Sequence, residues 1–277
     1  MTHTRTELAA LLEAHDLGPS RALGQNFVVD PNTVRRIARL AGVGPGDHVV
    51  EIGAGLGSLT LALAETGASV TAVEIDRHLQ PILREVVEGR DVHVVAGDAM
   101  ALDWDEVLAG ADRWALVANL PYNVATPLVL DLLAGVPAIE RMLVMVQLEA
   151  GARLVAPAGS PAYGIPSVKV ALRATGRIVG KVGPDVFLPR PRVDSALVEI
   201  VRRAEPATDA DPEVLVALVE RAFNQRRKML RRSLAGVVGD AQFAEAGIEP
   251  TERPEHLDIE AWGRLAAAVA ADRDAPR

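Results

Sequence analysis

Asp47-His48-Val49-Val50-Glu51-Ile52-Gly53-Ala54-Gly55-Leu56-Gly57-Ser58-Leu59-Thr60 is the stretch on which the fold turns. Residues 47–52 form a short, mostly apolar run of the kind that becomes a buried strand. Three glycines follow at every second position, and then apolar residues at helical spacing. Glycines between a first strand and its helix let the backbone approach a ligand closely. The stretch therefore predicts the opening unit of an α/β sheet with a binding turn at the strand end.

Working outward, further strands are predicted at 69–74, 92–96, 114–118 and 141–146, with helices between them at 58–66, 77–88, 103–109 and 125–134. This alternation calls for a parallel sheet covered by helices on both faces. Two more strands, 177–182 and 195–202, flank the Pro-rich segment 184–191 and suit an antiparallel pair at the sheet edge. Ahead of the sheet lie a helix at 5–16, a basic turn at 21–27 and a second helix that Asp30 caps and Pro31 opens. Ala204–Pro212 reads as a linker. Beyond it, helices are expected at 213–223, 225–236, 239–246 and 259–271, and the end from Asp272 to Arg277 is expected to fray. Two domains follow, residues 1–204 and residues 205–277.

Composition narrows the function. There is no Cys, and the six His are scattered without ligand spacing, so no metal site is expected. The N-terminus lacks the apolar core of a signal peptide, and no apolar run approaches the ~18 residues of a membrane span. A cytoplasmic, monomeric protein is expected. The net charge of −8 disfavours a polyanionic partner on average, but residues 221–232 hold six basic residues and no acid. Local patches, not net charge, steer a nucleic acid.

The chemistry lies at the strand ends. A dinucleotide fingerprint needs G-x-G-x-x-G; here the spacing is G-x-G-x-G, which weakens a nicotinamide reading, and Glu51 ahead of the glycines is more typical of S-adenosylmethionine enzymes. Strand two ends at Glu74-Ile75-Asp76, where an acid can take both ribose hydroxyls. Strand three ends at Gly97-Asp98-Ala99, where a carboxylate can accept from an adenine amino group. Strand four runs into Asn119-Leu120-Pro121-Tyr122. Asn119 supplies a carboxamide, Pro121 a rigid turn, and Tyr122 a flat face in a chain that is only 3% aromatic. That set suits a nucleobase, although each feature also occurs in ordinary strand-to-helix turns.

The order of these motifs resembles a known family. GQNF (24–27), EIGAGLGSLT (51–60), VEID (73–76), GDA (97–99), NLPYN (119–123), FLPRPRVDSA (187–196), FNQRRKMLRRSL (223–234) and RPEHL (253–257) are similar to the ribosomal RNA adenine N6,N6-dimethyltransferases. Asn-Leu-Pro-Tyr-Asn, the basic 223–234 segment and RPEHL point to the bacterial small-subunit branch over the macrolide-resistance branch. A DNA adenine methyltransferase would usually carry a second Pro where Leu120 stands. Ala54 replaces the family's usual Pro in the glycine turn, and Val28 a bulkier aliphatic.

The resemblance implies a seven-stranded, mostly parallel class I methyltransferase (Rossmann-like) sheet with a small all-helical C-terminal domain that binds RNA. It implies S-adenosyl-L-methionine as cofactor, with contacts from Asn26, Val28, Gly53, Glu74, Asp98 and Asn119. It implies double methylation at N6 of two adjacent adenosines near the 3′ end of 16S rRNA, with a role in small-subunit biogenesis. The Asn119 carboxamide oxygen and the Leu120 carbonyl are the natural acceptors for the N6 hydrogens, and Tyr122 the plate on which the base stacks. Phe187 is the candidate for the opposite face, the alternative being a core Phe at a strand entry. Arg226, Arg227, Lys228 and Arg231 are the candidate phosphate contacts. A ribosome-assembly factor whose main task is binding is the competing reading.

Overall fold

A computed structural model of the chain describes residues 2–274. Seven strands form one sheet: β1 (His48–Ile52), β2 (Ser69–Glu74), β3 (Val92–Ala96), β4 (Trp114–Asn119), β5 (Ile139–Gln147), β6 (Ala174–Val182) and β7 (Ser195–Arg202). Their order across the sheet is β3-β2-β1-β4-β5-β7-β6. The first five pair in parallel, and β7 lies antiparallel to β5 with Gln147 opposite Ser195. The order reverses beside β1, between β2 and β4. That is the point at which open α/β sheets leave a crevice at their strand ends.

Contacts divide the chain into two units, residues 1–151 with 177–201, and residues 152–176 with 202–277. A single cut at 204/205 therefore does not describe the chain. Residues 152–176 carry Tyr163, Val168 and Leu172, whose apolar side chains bury among Leu215, Leu218, Trp262 and Leu265 of the helical unit. The segment 204–212 is not a free linker either, since Ala207 N–H donates to Leu172 O at 3.3 Å and Ala210 is buried in the same cluster.

In the sheet unit, helix Pro31–Ala41 begins where expected. Asp30 accepts from the Asn32 and Thr33 amides, Pro31 occupies the first turn, and Gly42 closes the helix at φ 58°. Val34, Ile37 and Ala38 of this helix pack against Val49, Val70, Val117 and Leu143 of the sheet. A helix not foreseen, Leu148–Leu154, follows β5 directly. Gly151 lets it lie close to β7: a Cβ there would stand 2.9 Å from side-chain atoms of both Ala196 and Val198.

The helical unit differs from expectation in one place that bears on function. Helix Pro212–Phe223 ends at Asn224, residues 224–229 form turns, and only Leu230–Ser233 is helical again. A continuous 225–236 helix would set Arg227 over Arg231 and Lys228 over Arg232, like charges four apart that repel. Instead Leu230 N–H donates to Glu252 O at 2.7 Å and Arg231 N–H to Pro250 O at 3.0 Å. A second unforeseen helix, Ile165–Arg173, belongs to this unit. The last helix, Ile259–Asp274, carries through Asp272, so the expected fraying does not begin there; residues 275–277 lie outside the described residues.

Candidate active site

The glycine turn takes its shape from three left-handed residues, Gly53 (φ 76°), Gly55 (φ 58°) and Gly57 (φ 81°). Gly55 is the most confined: a Cβ would meet the Phe27 ring at 3.0 Å. The turn is held from β2, where Gly55 N–H donates to the Glu74 carboxylate at 2.6 Å. The other Glu74 oxygen accepts from Asp76 N–H at 2.8 Å. Each oxygen keeps a lone pair for a ligand, since a carboxylate has about four acceptor positions. Burial raises the Glu74 pKa, and its backbone hydrogen bonds oppose the shift.

Under the turn lies a buried polar group that sequence reading noted only in passing. Glu51 is 2% exposed, and burial pushes its carboxyl up to about 8, with the Glu74 charge adding to the shift. Glu51 Oε2, Ser58 Oγ and Thr60 Oγ1 are all buried without a hydrogen-bond partner. Glu51 and Ser58 line the same cleft as Gly53, Glu74 and Asn119. Unpaired buried polar atoms at a cleft wall are costly unless something bonds to them. A cofactor with a polar amino-acid end fits them.

Over the cleft runs the 20–27 turn. Gln25 Nε2 donates to Asp76 at 2.9 Å, and the Gln25 amide oxygen accepts from Ser20 N–H at 2.7 Å. Asn26 offers its backbone oxygen to Asn119 Nδ2 at 2.8 Å. Val28 pairs with Phe187, and Phe27 with Leu188, in a two-stranded ribbon. The role of Gln25 was not read from the sequence; its signal was the GQNF motif, which fixes no partner.

At the end of β4 the tetrapeptide is placed as expected. Leu120 N–H donates to Met145 O at 3.1 Å, and Pro121 O accepts from Val124 and Ala125, opening helix Ala125–Gly135. The Asn119 amide group donates to Asn26, which leaves its oxygen as the acceptor without a protein partner. No donor among the described residues reaches Leu120 O. Tyr122 lines the cleft half-buried, its hydroxyl 2.9 Å from Ser195 Oγ. Asn26, Val28, Gly53, Glu74, Asn119, Leu120 and Tyr122 thus share one cleft, of about 710 Å³ including its open mouth. Asp98 lines the adjoining hollow with Gly53, Ile75 and Pro121, exposed and accepting from Met100 N–H at 2.9 Å.

Two predicted residues stand elsewhere. Phe187 is fully buried among Val28, Val34 and Leu197, because its pairing with Val28 turns it into the core. It is the core Phe of the alternative reading and presents no face to the cleft. Arg226 is bound within its own unit: its Nε lies 2.6 Å from Glu255, and its guanidinium donates to Pro161 O at 3.1 Å. Glu255 belongs to RPEHL, so the acid missing from 221–232 arrives from that motif. Arg227, Lys228 and Arg231 are exposed, as is Arg232. Met229 beside them is exposed. Elsewhere on the chain, Lys169, Arg177 and Arg190 are paired to Glu220, Glu199 and Asp185. Among the described residues no group of three His, Asp or Glu could hold a metal, and no helix is long and apolar enough to cross a membrane.

A sheet of this order, with its glycine turn, its acid at the second strand end and its amide at the fourth, is a class I methyltransferase fold. The chain belongs to the ribosomal RNA adenine dimethylase family, whose profile matches residues 20–270. A ribosomal RNA small subunit methyltransferase A from Kineococcus radiotolerans is 49% identical, covering 96% of this chain and 95% of its own. One of the same name from Streptomyces coelicolor is 49% identical over 94% and 93%. Among solved structures, the 23S rRNA methyltransferase ErmE is 28% identical with a TM-score of 0.69, covering 88% of this chain and 99% of that one. A dimethyladenosine transferase from Plasmodium falciparum is 21% identical with a TM-score of 0.75 over 88% and 97%, a likeness of fold.

Proposed function

We propose that this chain transfers methyl groups from S-adenosyl-L-methionine to N6 of two adjacent adenosines near the 3′ end of 16S rRNA, in the cytoplasm. The observation that carries the reaction is the Asn119 Nδ2 bond to Asn26 O, which commits the carboxamide oxygen to face the cleft as an acceptor. The 49% identity to small-subunit relatives, against 28% to the 23S enzyme, supports the choice of 16S rRNA over 23S.

An adenine amine is a poor nucleophile because its lone pair is delocalised into the ring. The bound cofactor supplies an electrophilic methyl group on a sulfonium. The chain supplies position and polarity. Asn119 Oδ1 and Leu120 O accept the two N6 hydrogens and favour a more tetrahedral nitrogen with its lone pair free. Pro121 fixes where the Leu120 carbonyl points. This is electrostatic preorganisation, and no side chain need take the proton in the transition state. Tyr122 stacks on the flipped base, worth roughly 1–3 kcal/mol. Glu74 and Asp98 take the ribose and adenine of the cofactor, while Glu51 and Ser58 face its amino-acid end.

Arg227, Lys228, Arg231 and Arg232 form the phosphate contact of the helical unit. They are exposed, of one sign, and without acid partners among the described residues.

The test is transfer of radiolabelled methyl from S-adenosylmethionine to small subunits from a strain lacking this modification. Labelled N6,N6-dimethyladenosine is the expected product. Tight binding with no label would replace this reading by that of an assembly factor. Label in 23S rRNA alone would move the substrate to the large subunit.

A further inference from the structure

Ser195 is the first residue of β7 and is completely buried. A buried hydroxyl without a partner is costly, and its partner is the Tyr122 hydroxyl at 2.9 Å. Ser195 is itself fixed. It pairs with Gln147 at the end of β5, and Asp194 before it accepts from Leu148 N–H at 3.0 Å. Met145, two residues back on β5, accepts from Leu120 N–H. The amide end of the tetrapeptide and the far end of the Tyr122 ring are therefore both referenced to β5, one through β4 and one through β7.

We propose that Ser195 is a positioning residue for methyl transfer: its hydroxyl holds the phenol of Tyr122 and so fixes the position of the ring on which the target adenine stacks. The inference rests on the reading of Tyr122 as the stacking plate. A Tyr after a tight turn has two free side-chain torsions. Pinning the phenol oxygen, some 6 Å from the Cα by ordinary bond lengths, fixes the direction of the ring's long axis and removes the χ1 swing that would carry the ring away from Asn119 Oδ1 and Leu120 O. Burial raises the pKa of the phenol further above its ordinary value, and the Ser195 contact opposes the shift. The contact also explains why Tyr suits this position better than Phe, since stacking alone needs no hydroxyl.

The experiment measures single-turnover transfer to small subunits and, separately, S-adenosylmethionine affinity by calorimetry, for Ser195→Ala, Tyr122→Phe, the double variant and Tyr122→Ala. Loss of one ordinary hydrogen bond corresponds to about threefold to tenfold. Ser195→Ala and Tyr122→Phe should each slow transfer by that factor with cofactor affinity unchanged. The double variant should be no slower than either single variant, because both remove the same contact. Tyr122→Ala should slow transfer further. Wild-type transfer in Ser195→Ala, a double variant slowed by the product of the two single losses, or a Ser195→Ala loss confined to cofactor affinity would each overturn the tether. Wild-type transfer in Tyr122→Ala would instead remove the stacking role itself. Melting curves of Tyr122→Phe, which leaves Ser195 in place, keep the comparison readable if Ser195→Ala folds poorly.

Discussion

Replacing Glu51 with Gln should make the protein's stability less sensitive to pH. Glu51 is 2% exposed, and burial holds its carboxyl near 8 instead of the ordinary 4.5. A raised carboxyl pKa means that the folded state binds a proton the unfolded chain has released. The stabilising contribution is complete below about 4.5 and is lost as pH rises through about 8. Each unit is worth ~1.36 kcal/mol, so the wild type loses roughly 2–3 kcal/mol relative to Glu51→Gln between pH 5 and pH 7, and about 4 kcal/mol by pH 9. For a unit of this size 1 kcal/mol moves the melting point by about 2–4 °C, so the gap should widen by roughly 5–10 °C between pH 5 and pH 7 in favour of Gln. Glu74 also faces this carboxyl and is present in both proteins, so its own titration largely cancels in the difference. Thermal melts of the two proteins, without cofactor, measure the effect. Melting points that run parallel from pH 5 to pH 9 would refute the assignment of a protonated, buried Glu51.

Asn119→Ala should lower the transfer rate by about 100-fold, on the scale of removing one preorganised hydrogen-bonding group, while calorimetry still detects cofactor binding; wild-type turnover would refute the acceptor role. Arg227→Glu with Arg231→Glu should weaken RNA binding across sequences and reduce the slope of log affinity against log salt by about two, with cofactor affinity unchanged; an unchanged slope would take those residues off the interface. Gly55→Ala should lower cofactor affinity at least tenfold in a calorimetric titration. A left-handed non-glycine residue costs about 1–2 kcal/mol, and the new Cβ would meet the Phe27 ring at 3.0 Å.

The sheet was legible because its signals are local. Each of the seven strands overlaps a predicted one, although the fifth and sixth begin two and three residues earlier than expected, and the acids and amide fall at strand ends by arithmetic along the chain. The turn 224–229 was not legible in the same way. Arg227 to Arg232 has helix-compatible residues, but the carbonyls that hold the chain just after the turn, Glu252 to Leu230 and Pro250 to Arg231, are about twenty residues away. Arg226 is a similar case: its sign was visible, but its partner Glu255 is set by tertiary structure. Phe187 shows the limit for aromatic residues, since a stacking Phe and a core Phe share one local sequence and only the pairing with Val28 decides. Glu51 was visible as an acid before glycines, whereas its protonated state follows from burial that no local pattern reveals.

The interleaved path of the chain has a consequence for biosynthesis. Tyr163, Val168 and Leu172 leave the ribosome before the helices that cover them, whose first apolar member, Leu215, follows ~40 residues later. At about 5–20 residues per second, that leaves the segment waiting on the order of 2–8 s. The sheet cannot be completed until residues 152–176 of the other unit have been made, because β7 follows them in the chain. Neither unit is contiguous in the chain, so neither is available to evolution as a cassette that could be moved to another gene by one contiguous exchange.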